Sequence, residues 1–366
     1  MNRCFFMIFL LAALCFNSGC GMKDLDKRFF VLAIGVDQSG VPDKPYHVSL
    51  KLGIPSPRIE PGNSNKYQLV TQDANSVTEA IRLLKSKVDK ELDLGHAKIF
   101  VFGKSLASED IQKPLDWFIR RRDIQKIGFV AVGDPTAEAV LDTRVSSERL
   151  PANSLFLSFD REGTESAYIM TENLSDFYRR MTERGLDPYL PVIRPRGQIF
   201  EIDQVAILDK HRIRAILNPD QTRILNQLTR NARKLDIHTN HQNENFDISI
   251  QHFKRKIHIS NPNQNGMPDV RIEMKADGMV EESSRPLYDD DWNELAQSVQ
   301  AQSKVRCMNV LALLQEKGVD PIGFGLHYRA LGYVSDKDWQ HWIDIYPNLN
   351  LQVNIKVKIL GTGVVR

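Results

Sequence analysis

The sequence predicts an α+β fold of several mixed layers, and three observations carry that expectation. Apolar runs with a two-residue period are interleaved with stretches whose apolar residues recur every three to four positions, the signatures of strands and helices. Clusters of Gly, Pro, Asn and Ser separate these segments. At 366 residues the chain exceeds what one core serves and suits two or three domains, each a β-sheet with packed helices. A composition of 42% apolar and 26% charged residues is that of a folded chain. The formal charge is +2, from 48 basic and 46 acidic residues, and gives no reason to expect a nucleic-acid partner.

The first element is not part of the globular fold. Met1-Asn-Arg3 is short and positive, and Cys4 to Phe16 is an uninterrupted apolar run. As a helix it is too short for a bilayer core of about 30 Å, but it suits the hydrophobic region of a signal peptide. Asn17-Ser18-Gly19 then lead into Cys20, and the chain turns charged at once. Residues 1–19 are expected to be removed, with Cys20 as the first residue of the mature chain, S-diacylglycerylated and N-acylated. Two acyl chains give a stable membrane anchor where one gives only a marginal hold. The competing reading is ordinary signal cleavage and release. Asn17 stands where such cysteine-terminated signals usually carry an aliphatic residue. With Cys4 and Cys15 removed and Cys20 acylated, only Cys307 is left, so no internal disulfide is expected.

The remaining elements follow in order. Phe29 to Val36 reads as a buried strand, and Val48, Leu50 and Leu52 alternate with polar residues in a second. Residues 55–65 are loop by composition. Ser76-Val-Thr-Glu79 has the form of a capping box, with Val77, Ala80, Ile81, Leu84 and Val88 along one helical face. Residues 97–102 and 127–132 are strands. A helix opens at Glu109-Asp110 and closes at Arg120-Arg-Arg122, with Pro114 setting its start or a kink. Residues 135–141 and 174–181 are helical. Three prolines between Gly185 and Gly197 suggest a boundary, dividing an N-terminal region, 20–190, from a C-terminal one, 191–366. A further boundary is expected near 261–268. Residues 199–208, 212–217 and 235–258 supply strands around a helix at 221–232. Residues 291–316 form the longest helical pattern, with Trp292, Leu295, Val299, Val305, Met308 and Leu311 on its stripe and Gly318 as stop signal. Trp339, Trp342, Ile343 and Tyr346 mark another helix. Leu351, Val353, Ile355, Val357 and Ile359 alternate with Gln352, Asn354, Lys356 and Lys358 in a last strand.

Motifs of catalysis are scarce. The sequence has no GxGxxG, P-loop, HExxH or GxSxG, and neither an enzymatic activity nor a cofactor is expected. His238-x-x-His241, with His252 and His258, lacks paired Cys or acidic ligands, so exposed histidines are expected rather than a metal site. A basic stretch runs through Arg194, Arg196, Lys210, Arg212, Arg214, Arg223, Arg230, Arg233 and Lys234. It suits an anionic headgroup or acidic partner, or simply a solvated face, since Glu201, Asp203, Asp209 and Asp220 interrupt it. Trp339 and Trp342 are expected to cover a sheet rather than form a ligand box. Asp289-Asp-Asp291 caps a helix more simply than it binds calcium. Cys307 is expected as a small buried hydrophobe.

Five segments, in order, carry a resemblance. They are Gly19-Cys20 followed by Phe30-Val-Leu-Ala-Ile-Gly-Val-Asp37; Gly95-His-Ala-Lys-Ile-Phe-Val-Phe-Gly103 with Leu115-Asp-Trp-Phe-Ile-Arg-Arg121; Gly197-Gln-Ile-Phe200 with Val205-Ala-Ile-Leu208; Asp320-Pro-Ile-Gly-Phe-Gly325; and Trp339-x-x-Trp342 with Tyr346-Pro347 and the last strand. Together they resemble the Ger(x)C family, the C-subunit lipoproteins of spore germinant receptors, although Gly21-Met22 replaces the Trp-Asp usual after the cysteine. The resemblance implies three mixed α/β domains and a lipoprotein on the outer face of the spore inner membrane. It implies two integral membrane subunits as partners and a response to small germinants such as amino acids, sugars or nucleosides. It offers no catalytic residues, and Cys20 is the one functional position it transfers. The alternative function is direct capture of the germinant in a cleft lined by Trp339, Trp342 and the Arg194 region.

Overall fold

The computed structural model describes residues 27–54, 67–145, 152–160, 166–230, 235–241, 243–284 and 292–362. The expectations for Cys20, the loop 55–65, Asp289–Asp291, Arg233 and Lys234 lie outside the described residues.

Two sheets organise the molecule, in the mixed α/β layers that the sequence predicts. In the first, β1 (Arg28–Gln38), β5 (Ile99–Gly103), β6 (Phe129–Gly133) and β8 (Tyr189–Arg196) form a parallel centre. Antiparallel strands extend it on both sides: β2 (Tyr46–Gly53) and β3 (Tyr67–Ala74) beyond β1, and β9 (Ile199–Leu208) and β10 (Ile213–Leu217) beyond β8. Short strands β4 (Glu91–Asp93) and β7 (Glu172–Asn173) pair with β1 and β6. Central parallel strands are covered on both faces, which is why β5 and most of β1 are continuously apolar rather than alternating.

Helices supply that cover. On one face α1 (Val77–Lys85), α2 (Lys104–Glu109), α3 (Gln112–Arg120) and α6 (Leu174–Thr182) close a core containing Val36, Leu84, Phe102, Phe118 and Phe177. On the other, α4 (Ala137–Asp142) and α5 (Asn153–Phe159) pack Val140, Leu141 and Phe159 over Ala33, Val101 and Ala131. Each such fully buried side chain contributes about 1.5–3 kcal/mol of transfer free energy. The single helix expected from Glu109 is instead two. Glu109 ends α2, and Pro114 sits in the first turn of α3, where its missing N–H costs nothing.

The second sheet runs β11 (Leu235–His241), β12 (Glu244–Ile259), β13 (Val270–Ser283) and β14 (Leu351–Ile359). The first three are antiparallel neighbours, and β14 lies parallel to β13. A parallel pair needs a long crossover, here α8 (Trp292–Lys317), α9 (Phe324–Ala330) and α10 (Asp336–Ile345). Leu295 and Val299 of α8 fill one end of the core against Ile248 and Val280, while Val310, Leu311 and Leu314 fill the other against Ile272 and Val353. The buried stripe passes through Ser303 and Cys307. Val305, expected on it, is 59% exposed. Helix α7 (Pro219–Thr229) bridges the sheets, its Ile224, Leu225 and Leu228 sharing a core with Val205 and Ile207 of β9. Residue 190 lies inside β8, and the turn-rich stretch 261–268 joins β12 to β13.

Candidate functional site

Two buried aspartates, Asp37 and Asp320, each hold two backbone amides, and both fall on the segments that carry the resemblance. The first is the end of β1. Asp37 is buried, and its carboxylate accepts from the N–H of Ala137 at 2.7 Å and of Glu138 at 2.9 Å, the first amides of α4. A carboxylate there meets both orphan donors and the positive end of the helix dipole. Burial raises the Asp37 pKa above the usual carboxylate value, against the pull of those two amides. A β-carbon on Gly103 would overlap Asp37 Oδ1, so glycine at the end of β5 is required by the carboxylate beside it.

The second place is the joint between the two sheets. Asp320, 3% exposed, accepts from the N–H of Gly323 at 2.8 Å and of Gly325 at 2.7 Å, closing the start of α9. Its own N–H donates to Asp187 Oδ2 at 2.7 Å, and the Asp187 N–H returns a bond to the Asp320 carbonyl at 2.8 Å. Lys210 Nζ lies 3.1 Å from Asp187 Oδ1 and also donates to the carbonyls of Arg180, Glu183 and Leu186. Arg180 reaches across to the carbonyl of Pro321 at 3.1 Å. At the rim Glu183 pairs with Arg329, and Arg184 with Asp336. Burial pushes the Asp320 carboxyl up to about 7, opposed by the Gly325 amide and reinforced by the Asp187 charge. Burial lowers the Lys210 ammonium, opposed by Asp187. Gly325 lets the backbones touch: a β-carbon there would lie 2.7 Å from Gly185 Cα and 2.7 Å from Trp342 Nε1. These carboxylates spend their lone pairs on amides and a fixed ammonium, and so organise backbone.

The other sequence-predicted residues are dispersed. Trp342 is 2% exposed and stacks on Tyr328 at 5.0 Å, with Trp339 packed at the edge of the same core. Arg194 pairs across the β8–β9 hairpin with Asp203 at 2.6 Å and Glu201 at 3.2 Å. It lies five residues along β8 from Tyr189, towards the end of the strand away from the joint, so the tryptophans and Arg194 do not share a cleft. Arg223 pairs with Asp220 and Asp236, and Arg230 with Glu172 and Tyr189. The basic stretch is thus largely consumed by internal pairing. His238 pairs with Asp247 at 2.8 Å and His258 lies 3.7 Å from Glu273. Among the described residues no group of three His, Cys, Asp or Glu is placed to hold a metal. Cys307 is fully buried, and burial pushes its thiol up to about 12. A groove of about 490 Å³ opens at the carboxyl end of β1, lined by Gln38, Ser39, Tyr46, Glu109, Asp110 and Lys113. Among the described residues no helix is long and apolar enough to cross a membrane.

Sequence reasoning missed Asp187 and the role of Lys210, because Asp187 meets Asp320 across 133 residues and Lys210 reaches back to carbonyls 24–30 residues earlier, contacts that only the folded chain makes. The spacing Asp320-x-x-Gly-x-Gly before a helix was the available signal for the cap. Family models resolve what these residues belong to. Residues 21–195 match the spore germination protein N-terminal domain, and residues 203–363 match the spore germination B3/GerAC-like C-terminal domain. The chain belongs to the Ger(x)C family. This Ger(x)C chain is 20% identical to the spore germination protein KC of Bacillus subtilis over 402 aligned residues, covering 100% of the chain and 97% of that protein. It is 23% identical to the Bacillus subtilis protein YfkR, over 82% of the chain and 80% of YfkR, and 20% identical to spore germination protein GerQC of Bacillus cereus, over 83% and 85%. The crystal structure of the GerBC protein has the same fold, with a TM-score of 0.59 at 16% identity, covering 90% of the Ger(x)C chain and 98% of its own.

Proposed function

We propose that this chain is the non-catalytic lipoprotein subunit of a spore germinant receptor. Cys20, diacylglycerylated and N-acylated, holds it to the outer face of the spore inner membrane, where it works with two integral membrane subunits in nutrient-triggered germination. The observation that carries this reading is the pair of family matches running from residue 21 to residue 363, beginning immediately after a signal-like segment that ends on Cys20. The non-catalytic part is supported by how the buried ionisable groups are used: Asp37 and Asp320 cap helices, and Cys307 sits in a core. The test is fractionation of Cys20→Ala cells lacking the partner subunits, with mass spectrometry of the wild-type first peptide. The expected result is loss of the variant from membranes washed at high salt, where electrostatic contacts are screened, and an acylated wild-type terminus. A wild-type terminus without acyl groups overturns the anchor.

The groove beside Tyr46 favours a second reading, direct capture of a small polar germinant, because its volume is that of a ligand site and it lies at the carboxyl end of β1. Calorimetry of the unacylated chain with candidate germinants separates the two, since stoichiometric binding by this chain alone supports capture.

A further inference from the structure

Among the described residues the second sheet has helices on one face only. Along β13, Val270, Ile272, Met274 and Ala276 are buried, whereas Arg271 and Lys275 between them are exposed. The strand register gives this open face an unusual composition. Lys254 of β12 stands opposite Lys275 of β13, and Lys275 stands opposite Lys356 of β14. Three ammonium groups therefore form a row across three adjacent strands, with β-carbons about 4.5–5.5 Å apart. All three are exposed, and none forms an ion pair among the described residues. Lys256, Arg271 and Lys358 flank the row on the same face; Lys256 stands opposite Glu273 and Lys358 opposite Asp277, while Asp247 and Glu282 lie further along the strands.

Like charges directly opposite one another destabilise a sheet. Alternating signs would be the easy arrangement, and β11 and β12 show it nearby with His238 against Asp247. A row of three like charges is unfavourable for a sheet, and an opposing anionic surface would offset it. We propose that this face of the second sheet is a docking surface for anionic phospholipid headgroups. The reading rests on the chain working at a membrane, but uses a surface separate from Cys20. Topology supplies a further argument. Arg28 begins β1 at the amino ends of the parallel strands, and Gly185 to Asp187, which seat the C-terminal unit, lie at that same end, just before β8. The chain thus leaves for Cys20 from the end of the first sheet that carries the second, and Cys20 can lie no further than roughly 30 Å from Arg28. A broad open sheet face with six cations suits a planar charged surface.

The experiment uses the chain from Gly21 onward, which contains every described residue and carries no acyl groups, so its outcome does not depend on whether Cys20 is modified. It is sedimented with vesicles of phosphatidylcholine alone or mixed with phosphatidylglycerol. The expected result is partition onto the anionic vesicles at least about tenfold above the neutral ones, weakening as salt is added. Lys275→Glu is expected to lower that partition about fivefold or more, while its thermal midpoint holds or rises because the row is relieved. Lys85→Glu makes the same change in net charge on a helix of the first sheet and is expected to leave partition unchanged. No preference for anionic vesicles, equal loss in both variants, or capture of an acidic protein with no vesicle binding overturns the proposal.

Discussion

Asp320 shows how a single buried group can write itself into the pH dependence of the whole fold. In the unfolded chain its carboxyl titrates near 3.8, and in the folded protein burial holds it at about 7. Between those values the folded state keeps a proton that the unfolded state has released. The stability this contributes is fully present below pH 3.8 and is lost as pH rises to about 7, with no further change above. Asp37, whose pKa is also raised, acts in the same direction. Denaturant unfolding at a series of pH values checks this: Asp320→Asn is expected to flatten the decline across that window. It also lowers stability by about 1–3 kcal/mol at acidic pH, because one of the two buried amides at Gly323 and Gly325 loses its acceptor. An unchanged slope in the variant would mean that Asp320 is ionised throughout.

Helix caps were the most legible elements, and they also show where local reading stops. Ser76 accepts from the Glu79 N–H as the motif predicts, although Glu79 reaches Asn75 rather than Ser76 itself. The last strand alternates as read, with Leu351, Val353, Val357 and Ile359 buried and Lys356 and Lys358 exposed. Helix α9 was not foreseen, because its seven residues bury only Phe324, Gly325 and Tyr328, too short a pattern for periodicity to report. Val305 was misplaced because α8 turns Ser303 and Cys307 inward, a choice made by the sheet beneath it. The cap on α4 is likewise non-local: Asp37 reaches it across a hundred residues. Asp37→Ala is expected to cost about 1–2 kcal/mol. Hydrogen exchange should quicken at Ala137 and Glu138, while the Ser76 cap of α1 keeps its protection. Equal quickening at both helices would point to global loosening.

At the scale of the molecule, the joint around Asp320 ties the second sheet's helices to the start of β8, alongside the core that α7 shares with both sheets. Gly325→Ala forces a β-carbon against Gly185 and Trp342, and is expected to destabilise by roughly 2–4 kcal/mol. Faster exchange should be confined to residues 180–187 and 319–346, with β5 and β6 unchanged. Uniform protection across the chain would show that the backbones can part without cost. Of the joint itself, the sequence disclosed Asp320 and its glycines as a motif, but not that Asp187, Lys210 and Arg180 complete it, since only the folded chain brings them together.

One feature of the first sheet bears on how the molecule can be divided. Strands β9 and β10 lie beyond the first family match, which ends at residue 195, yet they pair with β8 and belong to its sheet. A polypeptide cut at that point would present β8 as a raw border of open amides and carbonyls, ready to recruit neighbouring chains. The two matched regions are stitched by this hydrogen-bonded seam into one sheet, so a division at residue 195 would cut through a layer rather than between two.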